Sequence, residues 1–217
     1  MKEFFIRRKI EKYRRLLTKH GNDPRYFRHI AELYKQLSKK EKAAHAYQQA
    51  IETYYQNGAR LGSENEFVME LCWALLDVDP LNTLAHKTLG QEYCGVGEFD
   101  EAADLYTSFA KKLLKTGQYR EAIEQYRNVL VFKPDNIVVR QNLVSLLWRF
   151  RRKAEVLQEL QKIAELSERA GNVVKALECY KKAVKISPSE SELQAELQRL
   201  TQCVRTMETP LRLVVNK

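Results

Sequence analysis

The chain has 217 residues, 44% of them hydrophobic, with only eight glycines and five prolines. It is long enough to bury a core without disulfides or metals, and its wealth of Ala, Leu, Glu, Lys, Gln and Arg favours an all-α fold. The formal net charge of +9 is unevenly placed: residues 1–60 hold 15 Lys and Arg against 6 Asp and Glu, whereas residues 61–217 hold 22 of each. There is no apolar run of signal-peptide or membrane-span length, so a cytoplasmic protein is expected.

The first predicted helix, near 3–19, places Ile6, Ile10, Tyr13 and Leu17 on one face and Arg7, Arg8, Lys12, Arg15 and Lys19 on the other, as a basic cap over residues 1–20 would. Asp23-Pro24 then opens a helix near 24–37, followed by one near 40–57. The stretch QNGARLGS carries five extra residues and marks a loop or an overlong helix. Further helices are predicted near 64–78, 82–95, 98–116, 118–132, 136–150, 152–170 and 172–186. Asp79-Pro80, Gly97, Gly117, Gly171 and Pro188 punctuate them. A last helix near 189–207, with Leu193, Leu197, Leu200 and Val204 on one face, reads as a C-terminal cap before a tail at 208–217.

Inside this series lies a repeat. Asp79-Pro80, Lys133-Pro134 and Ser187-Pro188 follow one another at 54 residues, and the same interval superposes Val68, Ala122 and Ala176, then Cys72, Tyr126 and Tyr180. A shorter interval of 12 residues links Ala31 to Ala43, Gly90 to Ala102, Ala110 to Ala122, Val144 to Val156 and Ala164 to Ala176. Antiparallel helices joined by a tight turn approach closely where both present small side chains. Bulky residues follow the second small position by four: Tyr47, Tyr106, Tyr126 and Tyr180.

Paired helices with a small residue on the first, glycine at the turn, Ala-x3-Tyr on the second and proline after it resemble tetratricopeptide repeats, best seen in LGQEYCGVGEFDEAADLYTSF and GQYREAIEQYRNVLVFKP. The resemblance covers residues 24–188. It implies one right-handed superhelical solenoid over 1–217, of about eleven antiparallel helices in three 54-residue-type units with terminal caps. Two departures stand out. Where the family has an aromatic near the start of the first helix, Phe27 fits but His86 and Arg140 do not. The helix near 98–116 also serves as second helix of one pair and first of the next, so each unit holds three helices.

No motif for nucleotide, metal or acyl chemistry occurs, so no catalytic residue, metal site or cofactor is assigned. Glu98, Asp100 and Glu101 sit where acidic groups favour a helix start. Cys72, Cys94, Cys179 and Cys203 have no metal-ligand spacing and read as reduced, packed thiols. The reading is a non-catalytic scaffold that binds a peptide or helix of another protein, with no small-molecule substrate. Arg25, Arg28, Lys35, Lys87, Gln91 and Lys111 are the candidate groove residues, against the plainer reading of a solvated polar face. Some relatives grip a partner's C-terminal carboxylate with a Lys/Asn/Arg clamp; here Glu32 beside Arg28 argues against one. The basic N-terminal quarter suits an acidic protein partner. The alternatives for it are an anionic membrane surface, with Phe4, Phe5 and Ile6 inserting, or nucleic acid.

Overall fold

The computed structural model describes residues 1–59 and 66–215, with side chains as far as residue 206. Among the described residues the chain forms eleven helices and no strand: α1 (Lys2–His20), α2 (Pro24–Gln36), α3 (Lys40–Gln56), α4 (Glu66–Val78), α5 (Thr83–Gly95), α6 (Phe99–Lys115), α7 (Tyr119–Phe132), α8 (Ile137–Arg149), α9 (Lys153–Arg169), α10 (Val173–Ile186) and α11 (Ser191–Val215). The all-α, solenoid-type expectation holds. Residues 60–63 of QNGARLGS lie outside the described residues, as do the two predicted opening residues of the fourth helix. The final helix runs on to Val215, past its predicted end at 207.

Two compact units divide the chain, Met1–Gly117 with α1 to α6 and Gln118–Lys217 with α7 to α11. Within each, a helix packs on its chain neighbours, α1 on α2 through α5 on α6 in the first and α7 on α8 through α10 on α11 in the second. Such helices hide their apolar stripes only against one another. In the first unit the shared core includes Ile6, Ile10, Ile30, Tyr47, Ile51, Leu71, Leu75 and Leu89, all buried.

The period is visible in the backbone. The helices α3, α6 and α9 have 17 residues each, against 13 or 14 for α4, α5, α7, α8 and α10. Each long helix is preceded by a residue in the left-handed region, Ser38 (φ +56°), Gly97 (+83°) or Arg151 (+54°), and followed by another, Gly58, Gly117 or Gly171. Glycine occupies that region freely, whereas Ser38 and Arg151 do so at a steric cost of roughly 1–2 kcal/mol. The turn geometry persists even where its preferred residue is lost.

The departures at His86 and Arg140 have a physical reason. His86 Nε2 lies 3.2 Å from the Pro80 carbonyl oxygen, Arg140 Nε and Nη2 donate to the Pro134 carbonyl at 2.9 and 2.8 Å, and Gln194 Nε2 donates to the Pro188 carbonyl at 2.6 Å. All three positions are 54 residues apart and serve the same proline turn. What replaces the family's aromatic is a hydrogen-bond donor for a carbonyl that would otherwise be left unpaired at the turn. Asn82 and Asn136 cap the helices that follow, accepting from Ala85 N at 3.2 Å and Val139 N at 3.0 Å.

Close approach of paired helices is tightest at Gly90. A Cβ there would stand 2.2 Å from the Tyr106 hydroxyl oxygen and 2.3 Å from Cζ of its ring, so Tyr106 packs directly on the glycine backbone. In α8 and α9 the corresponding residues are Val144 and Leu160. The two pairs trade volume in opposite directions, large against absent and medium against medium. Gly90→Val alone should therefore destabilise the protein by about 1–3 kcal/mol through overpacking. Adding Tyr106→Leu should recover at least half of the loss in chemical denaturation, and no recovery would refute the pairing.

Candidate partner-binding surface

The nominated cations of α2 are already paired. Arg25 Nε lies 3.1 Å from Asp23, the N-cap of its own helix, Arg28 Nη1 lies 2.8 Å from Glu70, and Lys35 Nζ lies 2.7 Å from Asp77. Glu70 and Asp77 belong to α4, so the pairs tie α2 to the helix after next. The Arg28 guanidinium also sits 5.6 Å from the centre of the Phe67 ring. The Lys35 ammonium holds the Asp77 carboxyl below its ordinary range, and Asp77 in turn raises Lys35. Glu32, next to Arg28 in the clamp comparison, accepts the Tyr47 hydroxyl at 2.5 Å. On α5, Lys87 is exposed and Gln91 half-buried, and on α6 Lys111 is exposed. Lys87 and Lys111 form no ion pair among the described residues.

The net positive charge is concentrated on α1, where residues 2–20 hold eight Lys and Arg against two Glu. Ile6 and Ile10 turn into the core, and the Tyr13 ring stacks on His29 at 4.9 Å between centroids. Arg8, Lys9, Lys12, Arg15 and Lys19 line the opposite, exposed side, and none of them forms an ion pair among the described residues. Arg7 and Arg14 are held by Glu3 and Glu11. At the start of this helix Phe4 and Phe5 are 66% and 55% exposed, their rings edge to face at 6.0 Å. Ile6 is buried, so it does not join Phe4 and Phe5 as an inserting residue. The helical pattern separated the two faces of α1 correctly. It could not show that α4 pairs with Arg28 and Lys35 of α2, whereas the outer cations of α1 have no such partner.

Several polar groups are buried for structural reasons. Glu92, 1% exposed, accepts the Tyr55 hydroxyl at 2.6 Å. His86 is stacked on Phe109 with ring centroids 3.8 Å apart, and its Nδ1 has no partner. Because a carbonyl can only accept, Nε2 carries the proton toward Pro80 and the ring is neutral. Burial pulls its pKa down to about 4 from 6.5, with the Lys112 charge adding to the effect. Burial likewise pushes Cys72 up to about 12 and raises Cys94 and Cys179, which makes them poor nucleophiles. Cys72 and Cys179 are buried, Cys94 and Cys203 half-buried, and all four are free. Among the described residues, no group of three or more His, Cys, Asp or Glu is placed to hold a metal ion, and no helix is long and apolar enough to cross a membrane.

These features define a class: a helical-repeat protein whose antiparallel pairs are joined by left-handed turns and locked by small-against-bulky contacts. The tetratricopeptide repeat family matches residues 25–57 and 160–190. The first match spans α2 and α3, with α3 as the second helix. The second begins within α9 and ends after α10, with α9 as the first helix. As α3 and α9 are counterparts in the period, the family matches themselves carry the double role of the long helix.

No curated protein matches the chain. Solved structures similar to it include YrrB, described as a TPR protein with an unusual peptide-binding site, at 15% identity over 86% of this chain and 97% of that one, with a TM-score of 0.32. A TPR repeats protein from Bacteroides fragilis is 19% identical over 89% of each chain, with a TM-score of 0.38. BtubC from P. vanneervenii is 15% identical over 99% of this chain and 91% of that one, also with a TM-score of 0.38. Likenesses of this degree carry no argument about a partner.

The buried histidine gives a pH signature. With a folded-state pKa of about 4 against 6.5, His86 contributes stability fully above pH 6.5 and loses it as pH falls through 4. The contribution is on the order of 3 kcal/mol. His86→Gln, which copies the donor found at Gln194, should flatten that part of the stability profile relative to wild type. Parallel profiles for the two proteins between pH 6.5 and 4 would contradict the assignment.

Proposed function

We propose that this chain is a non-catalytic scaffold that holds a peptide or helix of a partner protein, and that an acidic segment of that partner docks on the outer face of α1. Tetratricopeptide repeats are interaction repeats, and burial raises the thiols of Cys72, Cys94 and Cys179 away from the reactive range. The single observation that carries the docking surface is the row Arg8, Lys9, Lys12, Arg15 and Lys19, exposed and without carboxylate partners, beside α2 cations that are already paired. Unpaired charge on a rigid helix attracts an opposite charge at long range, whereas paired charge does so weakly. The contact should weaken with salt beyond a Debye length of about 8 Å at 0.15 M.

A second reading is favoured by Phe4 and Phe5, whose exposed rings adjoin the cations as interfacial anchors on an anionic membrane would. The two are separated by one pair of variants and two assays. Arg8→Glu, Lys12→Glu and Arg15→Glu together should cut capture of acidic proteins from a native extract at least tenfold, while Arg25→Ala, Arg28→Ala and Lys35→Ala together should leave it within twofold. Equal losses would reject the α1 surface. Flotation with phosphatidylserine-containing vesicles, abolished by Phe4→Ala with Phe5→Ala, would instead establish the membrane reading.

A further inference from the structure

In one pair of the small-against-bulky series the bulky ring is missing, and an open groove lies there. Three pairs occupy the same position in the period: Ala31 with Tyr47, Gly90 with Tyr106, and Val144 with Leu160. In the first two the residue facing the ring is alanine or glycine, and both tyrosines are buried. In the third the aromatic ring is absent. Val144 is only half-buried, and a groove of about 340 Å³ opens between α8, α9 and α10. Its walls are apolar: Val144, Trp148, Val156, Leu160 and Ile186. Trp148 is 54% exposed although it is one of only two tryptophans in the chain.

The rim has a definite charge. Lys182 and Lys185, one turn apart on α10, border the groove, are exposed and form no ion pair among the described residues. Glu178, one turn before Lys182, makes none with it. The carboxylates on the first half of α9 are already taken: Glu155 pairs with Arg127 and Arg152, and Glu159 with Arg140 at 2.5 Å. The groove thus offers an apolar floor, an exposed indole and two uncommitted ammonium groups.

We infer that this groove receives a short segment of another protein that carries one bulky apolar side chain with acidic residues beside it. The inference rests on the scaffold reading but uses residues other than those of α1. A space of this size takes one or two large side chains, and a partly exposed tryptophan is the kind of anchor on which binding energy concentrates. Acidic neighbours follow from charge complementarity with Lys182 and Lys185, whose own chain provides no counter-charge. A second copy of the chain meets neither demand as well, because a protein of net charge +9 repels itself.

The test uses the full chain with Trp73→Phe, so that Trp148 is the only tryptophan. Random 12-residue peptides displayed on phage are selected against it, and the enriched peptide is synthesised and titrated by fluorescence. The expected result is enrichment of Leu, Phe or Trp with at least two Asp or Glu within four residues, and a blue shift of Trp148 emission on binding. Leu160→Tyr, which refills the groove as Tyr106 does, should weaken binding at least tenfold with helicity retained. Lys182→Glu with Lys185→Glu, on the exposed rim, should do the same without any demand on the core. Absence of enrichment, enriched peptides without acidic residues, or binding insensitive to both variants would overturn the inference. Peptide binding lost only on reversal of the α1 charges would overturn it too, yet leave the scaffold reading standing.

Discussion

The close approach of antiparallel helices is the constraint on which the rest of this structure depends. None of the helices can bury its apolar stripe alone, and two helices come close enough only where the volumes they present to each other are matched. Gly90 under the ring of Tyr106 is the extreme case, with no room for even a β-carbon. Ala31 with Tyr47 relaxes it by one methyl group, and Val144 with Leu160 abandons the ring altogether. From that requirement follow the left-handed residues at both ends of each long helix, which reverse the chain within two or three residues, and the donors at His86, Arg140 and Gln194, which hold the proline turn before the next helix.

Charge is organised around the same stack. At several helix contacts cations find carboxylates: Arg28 and Lys35 on α2 meet Glu70 and Asp77 on α4, and Arg140 on α8 meets Glu159 on α9. The exposed pairs of α2 add little to stability, roughly 0–1 kcal/mol each, whereas Arg140 and Glu159 are largely buried. The larger effect of these pairs is to silence the charge they consume. The cations left without carboxylate partners among the described residues include those on the outer face of α1, Lys87 and Lys111, and Lys182 and Lys185 on α10.

Much of the fold was legible in the residues, because proline, glycine and the small positions recur at one period and each has a single physical role. Among the described residues helix ends fall within a residue or two of the predicted ones for α2 to α10, the start of α4 aside, and the double role of the long helix is written in Ala102, Tyr106 and Ala110. The surface was less legible. That α2 is neutral on balance depends on α4 lying beside it, a fact of tertiary packing which no local window contains. His86 and Arg140 looked like failures of the pattern because the pattern was written for an aromatic, whereas the position asks for a donor to a carbonyl six residues earlier. Leu160 stands where Tyr47 and Tyr106 stand in the earlier pairs, and its consequence lies in the space it leaves, which no sequence pattern contains.

Repeated volumes build the stack, and the groove beside Leu160 lies where those volumes depart from the repeat. The most direct measurement is the denaturation free energy of Leu160→Tyr. If the groove is the space that Tyr106 fills in α5 and α6, the added ring should bury itself there and leave the protein at least as stable as wild type. A loss of more than about 1 kcal/mol, the mark of an overpacked core, would contradict it.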